Sequence, residues 1–176
     1  NNSGTLKKSA GAGVASFGAA VNNANLTTCL SGTLSLNNGG VSSGGFNANA
    51  SCILNFGAGV QTLVSGANFT GSGLHRINNS GTLNFAAPIT VSPAFELAAD
   101  GTIDGTNVAV FAGPFTWSGG LMENLPGGGK TVFTNTATVN VSSGATKAHY
   151  RRTVDNYTTV NWTGGQWNGG FGAMWV

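Results

Sequence analysis

Short apolar–polar–apolar triplets recur along this chain, most with asparagine at the centre: Leu34-Ser35-Leu36, Leu54-Asn55-Phe56, Leu83-Asn84-Phe85, Val139-Asn140-Val141 and Val160-Asn161-Trp162. Alternation with period two marks a strand with one buried face. The outer members of each triplet are therefore assigned to a core, and Asn55, Asn84, Asn140 and Asn161 to the outside. Further short strands are predicted at 62–64, 89–91, 95–97 and 108–110, separated by the Gly, Asn and Ser clusters that turns require. No stretch carries a helical period with caps. Residues 86–99 come nearest, and Pro88 and Pro93 argue against a helix there.

The spacing of the triplets sets the architecture. Their first residues lie 20 apart from Leu34 to Leu54 and 21 apart from Val139 to Val160. The 29 residues from Leu54 to Leu83 read as one coil with a longer loop, and the 56 from Leu83 to Val139 as more than one coil. Trp117-Ser118-Gly119-Gly120 returns 45 residues later as Trp162-Thr163-Gly164-Gly165, about two coils on. Ser3-Gly4-Thr5-Leu6 returns at Ser31-Gly32-Thr33-Leu34 and Ser80-Gly81-Thr82-Leu83, each time as a turn leading into a strand. Two or three strands per coil of ~20–25 residues predict a right-handed parallel β-helix, a β-solenoid of about seven or eight coils. It fills 1–176 as one domain. The alternative is an antiparallel β-sandwich, which also strings short strands together at regular spacing. The chain opens inside one repeat and closes inside another, at Met174-Trp175-Val176, and is read as a piece of a longer repeat protein. End-to-end association, with neighbouring coils of a parent chain or with another copy in a filament, is the expected consequence.

Composition strengthens the solenoid. From Ser9 through Leu74 there is no Lys, Arg, Asp or Glu. Coils stack with ~4.8 Å between equivalent residues, so a charge repeated in one column would face its own copy. Asn, Ser, Thr and Gly form uncharged ladders instead. Charged residues make up 7% of the 176, against a usual ~25%, yet 40% are hydrophobic and ten are Phe, enough for a packed core. A net charge of +2 without a basic stripe excludes nucleic acid as a partner, and no apolar run is long enough for membrane insertion. Cys29 and Cys52 are 23 residues apart, close to one coil. Stacked on adjacent rungs they would fall within disulfide reach, which suits a secreted or periplasmic protein; two buried thiols in one core column are the other reading.

The last third of the chain carries a resemblance. Thr116-Trp117-Ser118-Gly119-Gly120 and Asn161-Trp162-Thr163-Gly164-Gly165-Gln166-Trp167 are separated by Lys130-Thr131-Val132-Phe133, Gly144-Ala145-Thr146-Lys147 and Arg152-Thr153-Val154-Asp155-Asn156-Tyr157. This succession resembles the β-strand repeats of large bacterial extracellular and adhesin-like proteins. The match is best from Phe115 onward and loose before Ala99. The resemblance implies right-handed parallel β-helix modules at the cell surface, in stalks, adhesins and some polysaccharide-active proteins. It carries no catalytic residues across.

Candidate chemistry is sparse. Lys147, His149, Tyr150, Arg151 and Arg152 form the densest polar group, expected in a solvated turn where they would meet an acidic glycan. The same residue types serve polysaccharide lyases, which neutralise a uronate and abstract its α-proton. A glycoside hydrolase would draw a carboxylate pair from Glu96, Asp100, Asp104, Glu123 and Asp155. His75, His149 and the two cysteines have no metal-site spacing, and 127–131 lacks the glycine offset and helix of a phosphate loop; neither metal nor cofactor is expected. Trp117, Trp162 and Trp167 are the aromatic candidates for stacking on sugar rings, the first two assigned to the core and Trp167 to the surface. Thr134, Thr136 and Thr138 make a single rank of alternate threonines, the one hint of an ice-binding face. The expected function is a non-catalytic stalk or adhesive, polysaccharide-binding module. The alternatives are part of a lyase or hydrolase and an ice-binding solenoid.

Overall fold

The computed structural model describes residues 1–124 and 127–176, and every strand pair in it is parallel. Short strands and tight corners wind into a β-solenoid of about eight coils, with no helix among the described residues. The antiparallel sandwich is excluded by that pairing.

Each coil visits three faces in turn. The first face is an eight-stranded sheet running from Val14–Phe17 through Thr33–Leu36, Ile53–Phe56 and Leu74–Ile77 to Val160–Trp162. The second is seven-stranded and runs from Gly40–Ser42 to Trp167–Gly170. The third consists of a four-stranded sheet starting at Thr5–Lys8 and a five-stranded sheet ending at Met174–Trp175; they meet where Asn68–Thr70 lies beside Ile89–Val91.

The coil length can be read from one inward column of the first face. Ala15, Leu34, Leu54, His75, Phe95, Phe115, Val139 and Val160 stack rung on rung. The step varies from 19 residues (Ala15 to Leu34) to 24 (Phe115 to Val139). The parallel column two residues on contains Trp117, Val141 and Trp162, so the Trp-Ser/Thr-Gly-Gly echo does span two coils. The apolar members of the first four triplets join one core, with Val160 packing at its edge, whereas Trp162 of the fifth, assigned to the core from its alternation, is exposed on the last rung. Through its middle runs a chain of ring contacts, Phe46–Phe69–Phe95–Phe115–Phe133–Trp175, with centroids 4.9 to 6.3 Å apart.

Three expectations about register need correction. Leu83-Asn84-Phe85 does not continue the column of Leu54. It lies on the second face, paired with Gln61-Thr62-Leu63, and the rung above Leu54 is His75. The 29-residue interval is thus one coil plus one further face, not a coil with a long loop. The three Ser-Gly-Thr-Leu turns likewise open strands on three different faces. Finally, Asn55 faces outward but is 6% exposed, as is Ser35 below it, whereas Asn84 and Asn140 are half-buried and Asn161 is exposed.

Corners are tight because the rungs below and above leave no room. At Gly39, with φ +61°, an added Cβ would run into the backbone of Val60, so both the dihedral and the close approach demand glycine. Cys29 and Cys52 flank equivalent corners of neighbouring coils, but Cys29 registers with Ala48, not Cys52. Both thiols are buried and free. Burial first, then the neighbouring Cys29 thiol, raises the Cys52 pKa.

Candidate functional site

The basic segment folds as a strand, Lys147–Tyr150, on the second face, followed by a corner at Arg151 and Arg152. Period two therefore sends Lys147 and His149 inward and leaves Tyr150 half-exposed. Lys147 and His149 are fully buried and Arg152 is 1% exposed, so the expected solvated turn is replaced by two inward cations and an inward imidazole. The reason lies in the corners, where turning backbone directs carbonyls toward the interior and a buried carbonyl must be paired. The Lys147 ammonium donates to the carbonyls of Ser143 (3.0 Å), Ala145 (2.8 Å) and Gly164 (3.3 Å). Arg152 uses its whole fork: Nε donates to Thr131 Oγ1 (2.8 Å), Nη1 to the Gly105 carbonyl (2.8 Å), and Nη2 to the Lys130 carbonyl (2.8 Å). Burial lowers the Arg152 pKa to about 10, which still leaves it charged at neutral pH. Lys8 does the same at another corner, donating to Ala10 (2.9 Å) and Ser31 (2.7 Å). Burial also holds His149 below the usual histidine range, and among the described residues neither ring nitrogen has a hydrogen-bond partner. Arg151 stays outside, its guanidinium 4.5 Å from the Phe171 ring centre.

The tryptophans are brought together, in a place the alternation partly concealed. Trp117 is buried as expected. Trp162 stacks above Val141 and Trp117 in an inward column, and Trp167 stacks above buried Lys147. Both point toward the core axis but lie on the last rung of their sheets, so they are 47% and 37% exposed. With Trp175 they bring one indole from each face to that end, with ring centres 6.2 and 5.3 Å apart. Together with Trp117 they line a cavity of about 310 Å³.

The carboxylates are mostly engaged. Glu96 accepts from Arg76 (2.7 Å) and Ser118 (2.8 Å), Asp155 accepts from Lys130 (2.8 Å), and Asp104 accepts from the Gly105 amide (2.6 Å). Asp104 and Glu123 stand on neighbouring rungs of the second face. Burial first, then the Asp104 carboxylate, raises the Glu123 pKa. No group of His, Cys, Asp and Glu among the described residues could hold a metal ion. The threonine rank bends around a corner: Thr136 donates to the Ala112 carbonyl (2.9 Å), and only Thr138 lies on the first face.

A feature missed in the sequence is a polar groove on the outer side of the first face, about 480 Å³ in volume. Its floor is Ser16, Ser35, Asn55 and Arg76 on successive rungs, and its wall is the following corner, with Asn37, Gly57, Ala58 and Asn78. The signal was present: Leu34-Ser35-Leu36-Asn37 and Leu54-Asn55-Phe56-Gly57 align residue for residue, with polar groups at the period-two outward positions and Gly57 where Asn37 stands one coil earlier. No family model, characterised protein or solved structure matches the chain.

Proposed function

We propose that this chain is a non-catalytic, rigid β-solenoid module of a secreted or surface-displayed bacterial protein, a stalk whose work is to hold its length. One observation carries the reading: the cations are used by the fold itself. Lys8, Lys147 and Arg152 satisfy corner carbonyls, and Arg76 and Lys130 pair with carboxylates of neighbouring coils. Three of the five residues that looked like a lyase site are thereby placed in the interior, out of reach of a polymer. Neighbouring coils of like geometry are the natural partners at both ends of such a stack. Incubation with polygalacturonate, alginate and xylan should release neither unsaturated product nor new reducing ends.

Export has its own test. In an oxidising compartment the adjacent thiols of Cys29 and Cys52 are expected to join, and mass spectrometry of the native protein would show the loss of two hydrogens. The hydrolase alternative is favoured by one observation only, the raised Glu123 beside Asp104. Reducing ends that Glu123→Gln abolishes would establish it in place of the stalk.

A further inference from the structure

We infer that the outer groove of the first face is a binding site for an extended, neutral, β-linked polysaccharide lying along the solenoid axis. Asn55 carries the argument. It projects away from the core, yet it is as buried as a core residue, because the corner wall rises beside it. Its Nδ2 donates to Ser35 Oγ (2.8 Å), and Ser35 Oγ donates to Asn37 Oδ1 (2.7 Å), so the floor is a fixed chain of hydrogen bonds and not a set of loose surface amides. Two acceptors in this lining have no partner among the described residues, Asn55 Oδ1 and Asn78 Oδ1. A buried acceptor left unpaired is costly and calls for a donor from outside the chain. Gly57 lets the wall lie directly against this chain of hydrogen bonds: a Cβ there would strike Asn37 Oδ1 and come within 2.7 Å of Ser35 Oγ and 2.9 Å of Asn55 Nδ2, displacing them.

The class of ligand follows from what the groove offers. Its sheet is paired on both sides at every rung from Thr33–Leu36 to Leu74–Ile77, so over the Ser35, Asn55 and Arg76 rungs a peptide has no strand edge to join, and only Val14–Phe17 at the groove's end keeps one side unpaired. The one cation, Arg76, is already matched by Glu96 at 2.7 Å, so an anion gains little. What remains is amide and hydroxyl groups repeating every ~4.8 Å over roughly 14 Å of axis. A sugar polymer presents hydroxyls that both donate and accept at short intervals, and an extended β-linked chain is straight enough to follow the rungs. The site is independent of the basic segment and of the tryptophan end.

Calorimetry and amide chemical-shift mapping on the full chain, with cellohexaose, mannohexaose, xylohexaose and hexagalacturonate, test the inference. At least one neutral hexasaccharide should bind and shift the amides around Ser35 and Asn55. Ala58→Trp, which fills the groove without touching the Ser35–Asn55 chain, should weaken binding about tenfold or more, equivalent to ~1.4 kcal/mol. Asn55→Ala serves as a second variant should Ala58→Trp fail to fold, with the same loss expected. Trp167→Ala should leave affinity unchanged. The inference is overturned if none of the neutral sugars binds, if hexagalacturonate binds tightest, or if Trp167→Ala abolishes binding while the groove variants retain it. None of these outcomes depends on the stalk reading, which stands or falls on the absence of product.

Discussion

The coils below Leu74 and those above it stack with the same parallel register but connect their rungs by different chemistry. Below, neutral side chains hand hydrogen bonds upward. Thr28 Oγ1 donates to Asn47 Oδ1 (3.1 Å), whose Nδ2 donates to Thr70 Oγ1 (3.0 Å), and Asn2 Nδ2 donates to Asn23 Oδ1 (2.7 Å). An amide donates at one atom and accepts at the other, so identical groups can follow one another without limit. Above, charges appear, and those held between rungs are answered: Arg76 by Glu96 on the next rung, Lys130 by Asp155, Lys147 and Arg152 by carbonyls, while Arg151 stays outside over the Phe171 ring. The contrast teaches that a parallel stack tolerates charge only where the next rung or a corner supplies its complement. A ladder of like charges at ~4.8 Å would oppose folding at every rung.

The contrast is broken most severely at Arg152. Arg152→Met leaves the carbonyls of Gly105 and Lys130 buried without donors, and a loss of ~3–5 kcal/mol is expected in urea unfolding. Arg152→Lys should recover only a minor part, because an ammonium cannot span carbonyls from several coils.

In the lower coils the same strand supplies an internal control. Leu54→Ala removes a fully buried side chain and should cost ~2–5 kcal/mol. Asn55→Ala, on the opposite side of that strand, breaks one link of a neutral ladder and should cost ~1 kcal/mol. Equal losses at the two positions would mean that the ladder contributes as much as the core.

His75, on the rung between the two regions, makes stability depend on pH. It is buried, its Nε2 donates to the Phe46 carbonyl (3.2 Å), and burial lowers its pKa to about 4. The unfolded chain takes up this proton near pH 6.5 and the folded chain only near 4. Stability is thus fully present above 6.5 and falls as the pH drops toward 4, by roughly 3 kcal/mol in all. His149 is shifted in the same direction and for the same cause. His75→Leu should flatten most of the slope in a series of thermal melts.

The smallest effect belongs to the half-exposed ion pair. Glu96→Lys sets like charges on adjacent rungs beside Arg76 and should cost about 1 kcal/mol. High salt should shrink that difference, while leaving the Arg152 variants unchanged because their partners are buried.

Much of this architecture was legible in residue spacing. The 20- and 21-residue steps and the 45-residue tryptophan echo correspond to real rungs, because the coil length is set by three short strands and three corners. Asn55, Gln61 and His75 were harder to place. Each packs against residues from coils some 20 residues or more away, such as Ser35, Val21 and Phe46. The groove escaped notice for the same reason, since its depth comes from a corner wall built by three different coils.

By itself, the sequence determined a parallel solenoid of about seven or eight coils with a phenylalanine-rich core and uncharged outer ladders. Period-two alternation and a near-constant repeat length are local properties, and a chain without charge over many residues has few other ways to stack. Tertiary structure decided which face each triplet occupies, as Leu83-Asn84-Phe85 shows, because a corner can gain or lose residues without leaving a mark on the triplet. It also decided the inward course of Lys147 and Arg152. Lys147 finds two carbonyls, Ser143 and Ala145, in its own preceding corner and a third, Gly164, on the next coil, whereas Arg152 depends on carbonyls as far back as Gly105, a partner that cannot be read from its own neighbours in the chain.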